Sequence, residues 1–177
     1  MSPITDIRTK TNDLTFASVM PGEGLEKALA LSRVDIIDTV REAKLKGRGG
    51  AGFPTGVKWN LAAAEQRRPK YLICNADEGE PGTFKDRVIL SEFADLVLDV
   101  MTIGARAIGA SLGIIYLRAE YSYVRPHLEE VIAHRRKLGQ LGQDIGGIAG
   151  FNFHVIVGMG AGAYVCGEET ALIESLE

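Results

Sequence analysis

The chain has 177 residues, of which 46% are hydrophobic and 24% are charged, and its formal net charge is −3. These values fit an ordinary globular protein, and the small net charge gives no reason to expect nucleic acid or an anionic membrane as a partner. No window approaches the ~20 consecutive apolar residues of a membrane-spanning helix. The two cysteines, Cys74 and Cys166, suggest a reducing compartment, and they are too few for a usual iron–sulfur cluster, so we predict no such metal site in these 177 residues.

The amino-terminal part of the chain is interrupted by Pro3, Pro21, Gly22 and Gly24. We therefore expect residues 1–30 to form a loosely structured arm ahead of a domain that covers residues 31–177. Within that domain, helical periodicity alternates with short apolar runs. The predicted helices cover residues 32–46, 58–66, 88–108, 124–138 and 164–176, and the predicted strands cover residues 71–74, 113–117 and 153–157.

This alternation of strands and helices predicts an α/β protein with a parallel sheet and right-handed crossovers. Because the strands are apolar throughout, we expect both faces of the sheet to be buried. The carboxyl ends of parallel strands meet at one edge, where such sheets bind ligands. Residues 75–82, 118–121 and 158–169 follow the three strands and are therefore expected at that edge.

Residues 46–58, KGRGGAGFPTGVK, combine five glycines with three basic residues and a phenylalanine. A flexible linker has no use for the cations. A loop that presses its backbone against a phosphate needs glycines for close approach and cations for countercharge. The run thus predicts a phosphate-bearing ligand, with a solvated basic turn as the alternative.

Two further runs are unusual. Residues 75–82, NADEGEPG, carry three acids that can bind ribose or ribitol hydroxyls or Mg²⁺, or can form a solvated turn. Residues 158–163, GMGAGA, formally fit a dinucleotide fingerprint, but Glu168 and Glu169 would repel a pyrophosphate, and an ordinary helix start is the alternative.

Neither cysteine is predicted to be a nucleophile. Cys166 has no histidine nearby in sequence to activate it, and Cys74 is expected in the core.

Three long motifs, taken together and in this order, resemble one family. They are GRGGAGFPTGVKW at residues 47–59, ICNADEGEPGTFKDR at residues 73–87 and GAGAYVCGEETAL at residues 160–172. They resemble the flavin-bearing, NADH-oxidising 51-kDa subunit of respiratory complex I. The same module serves as the diaphorase subunit of NAD(P)-linked hydrogenases and soluble formate dehydrogenases. The resemblance extends over residues 36–177.

The resemblance implies a Rossmann-like parallel sheet flanked by helices that binds FMN. The FMN-lining residues that it implies are Gly47, Arg48, Gly49, Gly50, Lys58, Asn75, Asp77, Glu78, Tyr164, Gly167, Glu168 and Glu169. For NADH it implies Phe53 near the adenine, Lys58 and Glu80 at the nucleotide, and Glu169 near the nicotinamide.

The implied reaction is hydride transfer from the nicotinamide C4 of NAD(P)H to flavin N5, for which Lys58 and Glu169 are the expected catalytic residues. The Lys58 cation would stabilise negative charge on the reduced flavin.

The sequence departs from the family's pattern at two positions. Leu61 stands where many complex I members have a second aromatic residue, which leaves adenine stacking to Phe53. Gly79 stands where some members have serine, and together with the run at 158–162 it favours the hydrogenase or formate dehydrogenase type.

The family passes its electrons to iron–sulfur centres, which implies iron–sulfur partner subunits, including a 24-kDa-type [2Fe–2S] subunit. It also implies a cytoplasmic location, either free or held at the cytoplasmic face of a membrane through partners, without direct insertion. The family's [4Fe–4S] ligands are absent from these 177 residues, and we expect the chain to be an amino-terminal segment of a longer protein. The alternative function is a truncated, catalytically silent module for nucleotide binding or assembly.

Overall fold

The computed structural model describes residues 18–48, 51–160 and 172–174. Strands β1 (Tyr71–Ala76), β2 (Leu112–Leu117) and β3 (His154–Met159) form one sheet in the order β1-β2-β3, and both pairings are parallel, which confirms the predicted topology. The α-helices in this part of the chain are α1 (Glu23–Leu29), α2 (Arg33–Glu42), α3 (Thr55–Ala64), α4 (Lys85–Glu92), α5 (Ala94–Ile108) and α6 (Arg125–Lys137). None of the helices in the described ranges is long and apolar enough to cross a membrane.

The two faces of the sheet differ. Cys74, Ile115 and Val157 lie side by side on the face that packs against the helices, and Ile115 is fully buried. On the opposite face, Tyr71 is 52% exposed and Ile156 is 48% exposed. The prediction that both faces are buried is therefore wrong for the described residues. Because the strands are added in one direction, right-handed crossovers put the helices that follow β1 and β2 on the same face.

The helix boundaries differ from the sequence-based expectation in three places. The predicted helix at 88–108 is divided into α4 and α5 at Phe93, whose φ of −129° and ψ of 28° are not helical. The predicted helix at 32–46 begins after Ser32, which caps it as expected, but it ends at Glu42. The expected loose arm is wrong for residues 23–29, because α1 is helical and buries Leu25; residues 1–17 lie outside the described part.

A buried ion-pair network joins α1, α5 and α6. Arg135 on α6 is 2% exposed, and its guanidinium donates to the Asp99 carboxylate at 2.5 Å and to the Asp95 carboxylate at 2.7 Å. The second oxygen of Asp99 accepts the backbone N–H of Gly22 at 2.6 Å. Gly22 has a φ of 89° and directly precedes α1, so the network fixes the start of that helix against the core.

Lys70 fixes the orientation of α3. Its ammonium is buried and donates to the carbonyls of Ala62 and Ala63 at 2.6 and 2.9 Å and to that of Ile108 at 3.0 Å. Burial lowers the pKa of Lys70, but these carbonyls still satisfy its three donors. The carboxyl ends of α3 and α5 therefore meet beside the start of β1. Since α3 ends at that edge of the sheet, its first turn is directed towards the carboxyl ends of the strands.

Replacing Arg135 with alanine is expected to lower the free energy of unfolding by about 3–5 kcal/mol, because Asp99 would stay buried without its cation. Arg125→Ala on the same helix is the matched control. Arg125 pairs with Glu129 at 2.7 Å, but both side chains are about half exposed, so its loss should cost less than about 0.5 kcal/mol. Urea unfolding followed by circular dichroism measures both values, and equal small losses would contradict the role given to the buried network.

Candidate functional site

The acidic segment after β1 lies at the carboxyl edge of the sheet. Asn75 is exposed, whereas Asp77 and Glu78 are only 7% and 6% exposed. The side-chain oxygen of Asn75 accepts the backbone N–H of Asp77 at 3.1 Å, which forms a tight turn at the strand end. Burial raises the pKa of the Asp77 carboxyl, and the charge of Arg118 opposes that shift. The folded state thus favours protonated Asp77, so stability falls as the pH rises from the ordinary carboxyl range through the raised pKa.

Glu78 joins three elements at this edge. Its carboxylate accepts the hydroxyl of Tyr121 at 3.1 Å and the backbone N–H of Asp86, in the first turn of α4, at 3.2 Å. The Lys85 ammonium lies 3.6 Å away. An anion at a helix start satisfies a backbone donor and interacts favourably with the helix dipole. The Glu78 carboxylate therefore caps α4, and it also ties the end of β1 to the residues that follow β2.

Arg118 and Tyr121 hold the same junction from the β2 side. The Arg118 guanidinium donates to the main-chain carbonyl of Glu78 and lies 5.9 Å from the centre of the Tyr121 ring. It also donates to Glu120 at 2.8 Å and holds the pKa of that carboxyl at about 2. Burial raises the pKa of Tyr121, and the hydrogen bond to Glu78 adds to the shift. The sequence placed residues 118–121 at this edge but did not assign them to the site; their position directly after β2 was the available signal.

The end of β3 contributes glycine backbone on the face that carries Tyr116, while the Met159 side chain packs against the core. Gly158 is opposite Tyr116 in the sheet, and the N–H of Gly160 donates to the carbonyl of Leu117 at 2.7 Å. A Cβ on Gly160 would come within 3.1 Å of the Tyr116 ring, so the close approach of the chain there depends on glycine. Tyr116 is fully buried and packs with Leu172. The predicted site residues Tyr164, Gly167, Glu168 and Glu169 lie outside the described residues, as does Cys166.

The glycine-rich loop is closed at its base. The N–H of Gly47 donates to the carbonyl of Phe53, and the N–H of Thr55 donates to the carbonyl of Leu45, both at 2.9 Å. Arg48 and Phe53, on either side of the loop's centre, are both exposed, Phe53 to 48%. Gly49 and Gly50, at the centre of the loop, lie outside the described residues. The loop thus leads directly into the first turn of α3, which is directed towards the carboxyl edge.

Gly56 serves helix packing. A Cβ at this position would lie 2.7 Å from Cα of Arg41, so the glycine lets α3 approach the backbone of α2. The contact between α2 and α3 therefore explains why position 56 is a glycine. Lys58, one turn into α3, is exposed.

Of the predicted site residues, Asn75, Asp77 and Glu78 lie together at the carboxyl edge, and the exposed Glu80 follows them in the next turn. In the described ranges, no three His, Cys, Asp or Glu side chains form a group that could hold a metal ion. Cys74 lies on the helix-covered face of β1, where burial raises the pKa of its thiol to about 11. This thiol stays protonated at neutral pH, which supports its interpretation as a core residue.

Two tyrosines test the Glu78 junction. Tyr121→Phe removes the hydroxyl that donates to Glu78 and keeps the ring, so it should lower the free energy of unfolding by about 1–2 kcal/mol. Tyr123→Phe is the matched control, because Tyr123 is 60% exposed and packs edge-to-face on Tyr121 with no hydrogen bond from its hydroxyl to another described residue. Its loss should cost less than about 0.5 kcal/mol. Chemical denaturation gives both numbers; the same cost in both variants would contradict a specific role of the Tyr121 hydroxyl.

Comparison with known proteins identifies the family. The family described as the Nuo51 FMN-binding domain matches residues 40–177. The chain is 52% identical over 153 residues to the NAD-reducing hydrogenase HoxS subunit alpha of Cupriavidus necator, an alignment that covers 86% of this chain and 25% of that protein. It is 52% identical over 155 residues to one subunit of the NADH-quinone oxidoreductase of Aquifex aeolicus, an alignment that covers 88% of this chain and 36% of that protein.

The fold gives the same result. The crystal structure of an NAD⁺-reducing [NiFe]-hydrogenase in the H₂-reduced state matches 90% of this chain and 27% of its own, with a TM-score of 0.77 and 43% identity. The chain thus spans between a quarter and about a third of the length of these relatives. The resemblance stated from the three motifs is confirmed: the chain belongs to the Nuo51 FMN-binding domain family.

Proposed function

We propose that the chain binds FMN at the carboxyl edge of its sheet and that the protein oxidises NAD(P)H through this flavin. The observation that carries the proposal is the junction at Glu78, which holds a polar, acid-lined strand end in a fixed position within an FMN-binding family. Asn75 and Asp77 supply polar groups suited to flavin ring edges and ribityl hydroxyls. On the face of the sheet that carries Tyr116, Gly158 and Gly160 bring no side chains to the end of β3, so the residues present fit such a ligand.

Within this proposal, the residues divide into two roles. The Glu78 carboxylate is already satisfied by α4 and Tyr121, so Glu78 acts as a positioning residue that orients the segment carrying Asp77. Gly47, Arg48, Gly49 and Gly50 form the loop that would approach the flavin or its phosphate. We also propose Tyr164, Gly167, Glu168 and Glu169 as FMN-binding residues, as the resemblance implies.

FMN, when bound, accepts two electrons as a hydride from NADH and releases them one at a time. The chain supplies orientation and electrostatics for that chemistry. Lys58 provides a cation that favours negative charge on the reduced flavin, and Glu169 is the proposed residue beside the nicotinamide. For the nucleotide, we propose stacking of the adenine on the exposed ring of Phe53 and contacts with Lys58 and Glu80. Leu61 is 62% exposed on α3 and offers an aliphatic contact where other members have an aromatic ring.

The relatives are named as subunits of hydrogenases and quinone oxidoreductases, so we propose that this chain works within a multi-subunit complex. Iron–sulfur subunits, including one of the 24-kDa [2Fe–2S] type, would receive its electrons at the cytoplasmic side. The hydrogenase subunit and the quinone oxidoreductase subunit are each 52% identical to the chain. That the parent complex is of the hydrogenase or formate dehydrogenase type therefore stays a prediction. A catalytically silent module for nucleotide binding or assembly is the second candidate.

Anaerobic titration of the purified chain with FMN, followed by NADH, separates the two candidates. We expect saturable FMN binding, seen as quenching of flavin fluorescence, and bleaching of the bound flavin's visible absorption by NADH. Lys58→Met should slow this bleaching by ~10-fold or more, because it removes the cation that favours the reduced flavin. Lys137→Met, at an exposed site at the end of α6, is the control and should leave the rate unchanged.

Each outcome decides one point. A chain that takes up no FMN would overturn the proposal and favour the silent module. FMN binding without bleaching by NADH would keep the flavin site and remove the proposed oxidation from this chain. Wild-type bleaching rates in Lys58→Met would exclude Lys58 as the residue that favours the reduced flavin.

A further inference from the structure

A polar cavity lies at the amino edge of the sheet, opposite the edge that carries Asp77 and Glu78. It has a volume of about 350 Å³ and lies between the end of α5 and the turn that precedes β3. Three arginines line it: Arg33, Arg68 and Arg106. The other lining residues are small, neutral or aromatic, and no acidic side chain is among them. Because the whole chain carries a net charge of −3, this concentration of positive charge is local.

Arg106 has no hydrogen-bond acceptor in the described part of the chain. Its Nε is buried and makes no hydrogen bond, and the guanidinium lies 5.5 Å from the centre of the Phe151 ring. A buried donor without a partner costs about 1–3 kcal/mol, and more when it is charged. Stacking on Phe151 fixes the plane of the guanidinium but satisfies none of its N–H groups. The N–H groups of the Arg106 guanidinium are therefore suited to donate to a ligand bound in the cavity.

The other two arginines are used only in part by the helix ends. Arg33 donates through Nε to the carbonyl of Ala107 at 3.2 Å, and Arg68 donates through one nitrogen to the carbonyls of Glu65 and Arg67, each at 3.0 Å. A guanidinium has five N–H donors, so both retain donors for a ligand. No ion pair joins any of the three arginines to an acid within the described ranges.

Gly109 shapes the wall of the cavity. It ends α5 with a φ of 76°, and a Cβ there would lie 2.7 Å from a terminal nitrogen of Arg33. Glycine thus lets the Arg33 guanidinium cover the helix end. The buried Lys70 ammonium adds to the local field: burial lowers its pKa first, and the charges of Arg68 and Arg33 lower it further. The negative ends of two helix dipoles explain the contacts of Lys70 and Arg33. Arg106 also lies in the last turn of α5, where the dipole favours a cation, but the dipole does not satisfy its buried Nε–H.

We propose that this arginine cavity binds a small oxyanion of the phosphate class. Arginine guanidinium groups bind such anions through charge-assisted, often bidentate hydrogen bonds. At ~30 Å³ per water molecule, the cavity holds the equivalent of about a dozen waters, which is room for one phosphate with part of its hydration shell. The site lies at the opposite end of the strands from the proposed flavin pocket and is independent of it. Free phosphate and the phosphate group of a nucleotide are the two sources of this chemistry.

Titration of the ¹⁵N-labelled chain with inorganic phosphate, at constant ionic strength set with chloride, tests the proposal. We expect a saturable shift of the Arg106 Nε–H resonance and of the backbone resonances of residues 109–111 and 150–152. Arg106→Gln should weaken phosphate binding by about tenfold or more. Arg68→Gln, at an exposed position, should also weaken it and serves if the first variant does not fold. Arg125→Gln on the exposed side of α6 is the control and should bind phosphate as the wild type does.

No saturable shift, or equal phosphate affinity in Arg106→Gln, Arg68→Gln and wild type, would overturn the proposal. A parallel titration with FMN in the presence of saturating phosphate separates the two sources. If FMN leaves the shifted Arg106 resonance in place, the cavity takes free phosphate. If FMN displaces phosphate there, the cavity takes the phosphate group of the nucleotide. Loss of FMN reduction by NADH with phosphate binding intact would contradict only the proposed function.

Discussion

The order in which the strands join the sheet is the constraint on which the rest of the structure depends. Three parallel strands added in one direction bring their carboxyl ends to one edge and place the crossover helices on one face. The acids after β1, the Arg118 segment after β2 and the glycines of β3 meet at that edge for this reason. The same order leaves Tyr71 and Ile156 open on the second face, where Leu172 packs near the carboxyl edge.

At the carboxyl edge, one buried carboxylate, that of Glu78, joins the end of β1 to the elements around it. Glu78 receives hydrogen bonds from the start of α4 and from Tyr121, while Arg118 holds its backbone carbonyl. Removing that carboxylate would leave the first turn of α4 without its cap and the Tyr121 hydroxyl without its acceptor, while Arg118 would still hold the Glu78 carbonyl. Neighbouring Asp77 is buried at a cost, shown by the direction of its pKa shift, and a cost of this kind is expected where charge serves binding rather than stability. At the other edge, Lys70 joins the ends of α3 and α5 and so directs the glycine-rich loop towards the site.

The sequence predicted the sheet, its parallel order and the edge that carries the acids, because apolar strands and strand-end motifs are local signals. It did not predict that α4 and α5 separate at Phe93, since Phe93 continues the apolar periodicity of one long helix. Nor did it predict α1, because Pro21, Gly22 and Gly24 indicated an interrupted chain, whereas the contact that anchors the start of the helix is made with the distant Asp99. Gly56 was interpreted as part of an anion loop, but it is required by the contact with Arg41, and such a contact between two helices has no signature within either one. The roles of Arg118 and Tyr121 depend on pairing across strands, which one sequence does not specify.

The central claim is that FMN occupies the carboxyl edge of this sheet. The most direct measurement is the map of backbone amide shifts when the ¹⁵N-labelled chain is titrated with FMN. The account predicts that the largest shifts fall on residues 75–80, on the first turn of α3 and on residues 158–160. Shifts concentrated at the amino edge, or no saturable shifts at all, would contradict it.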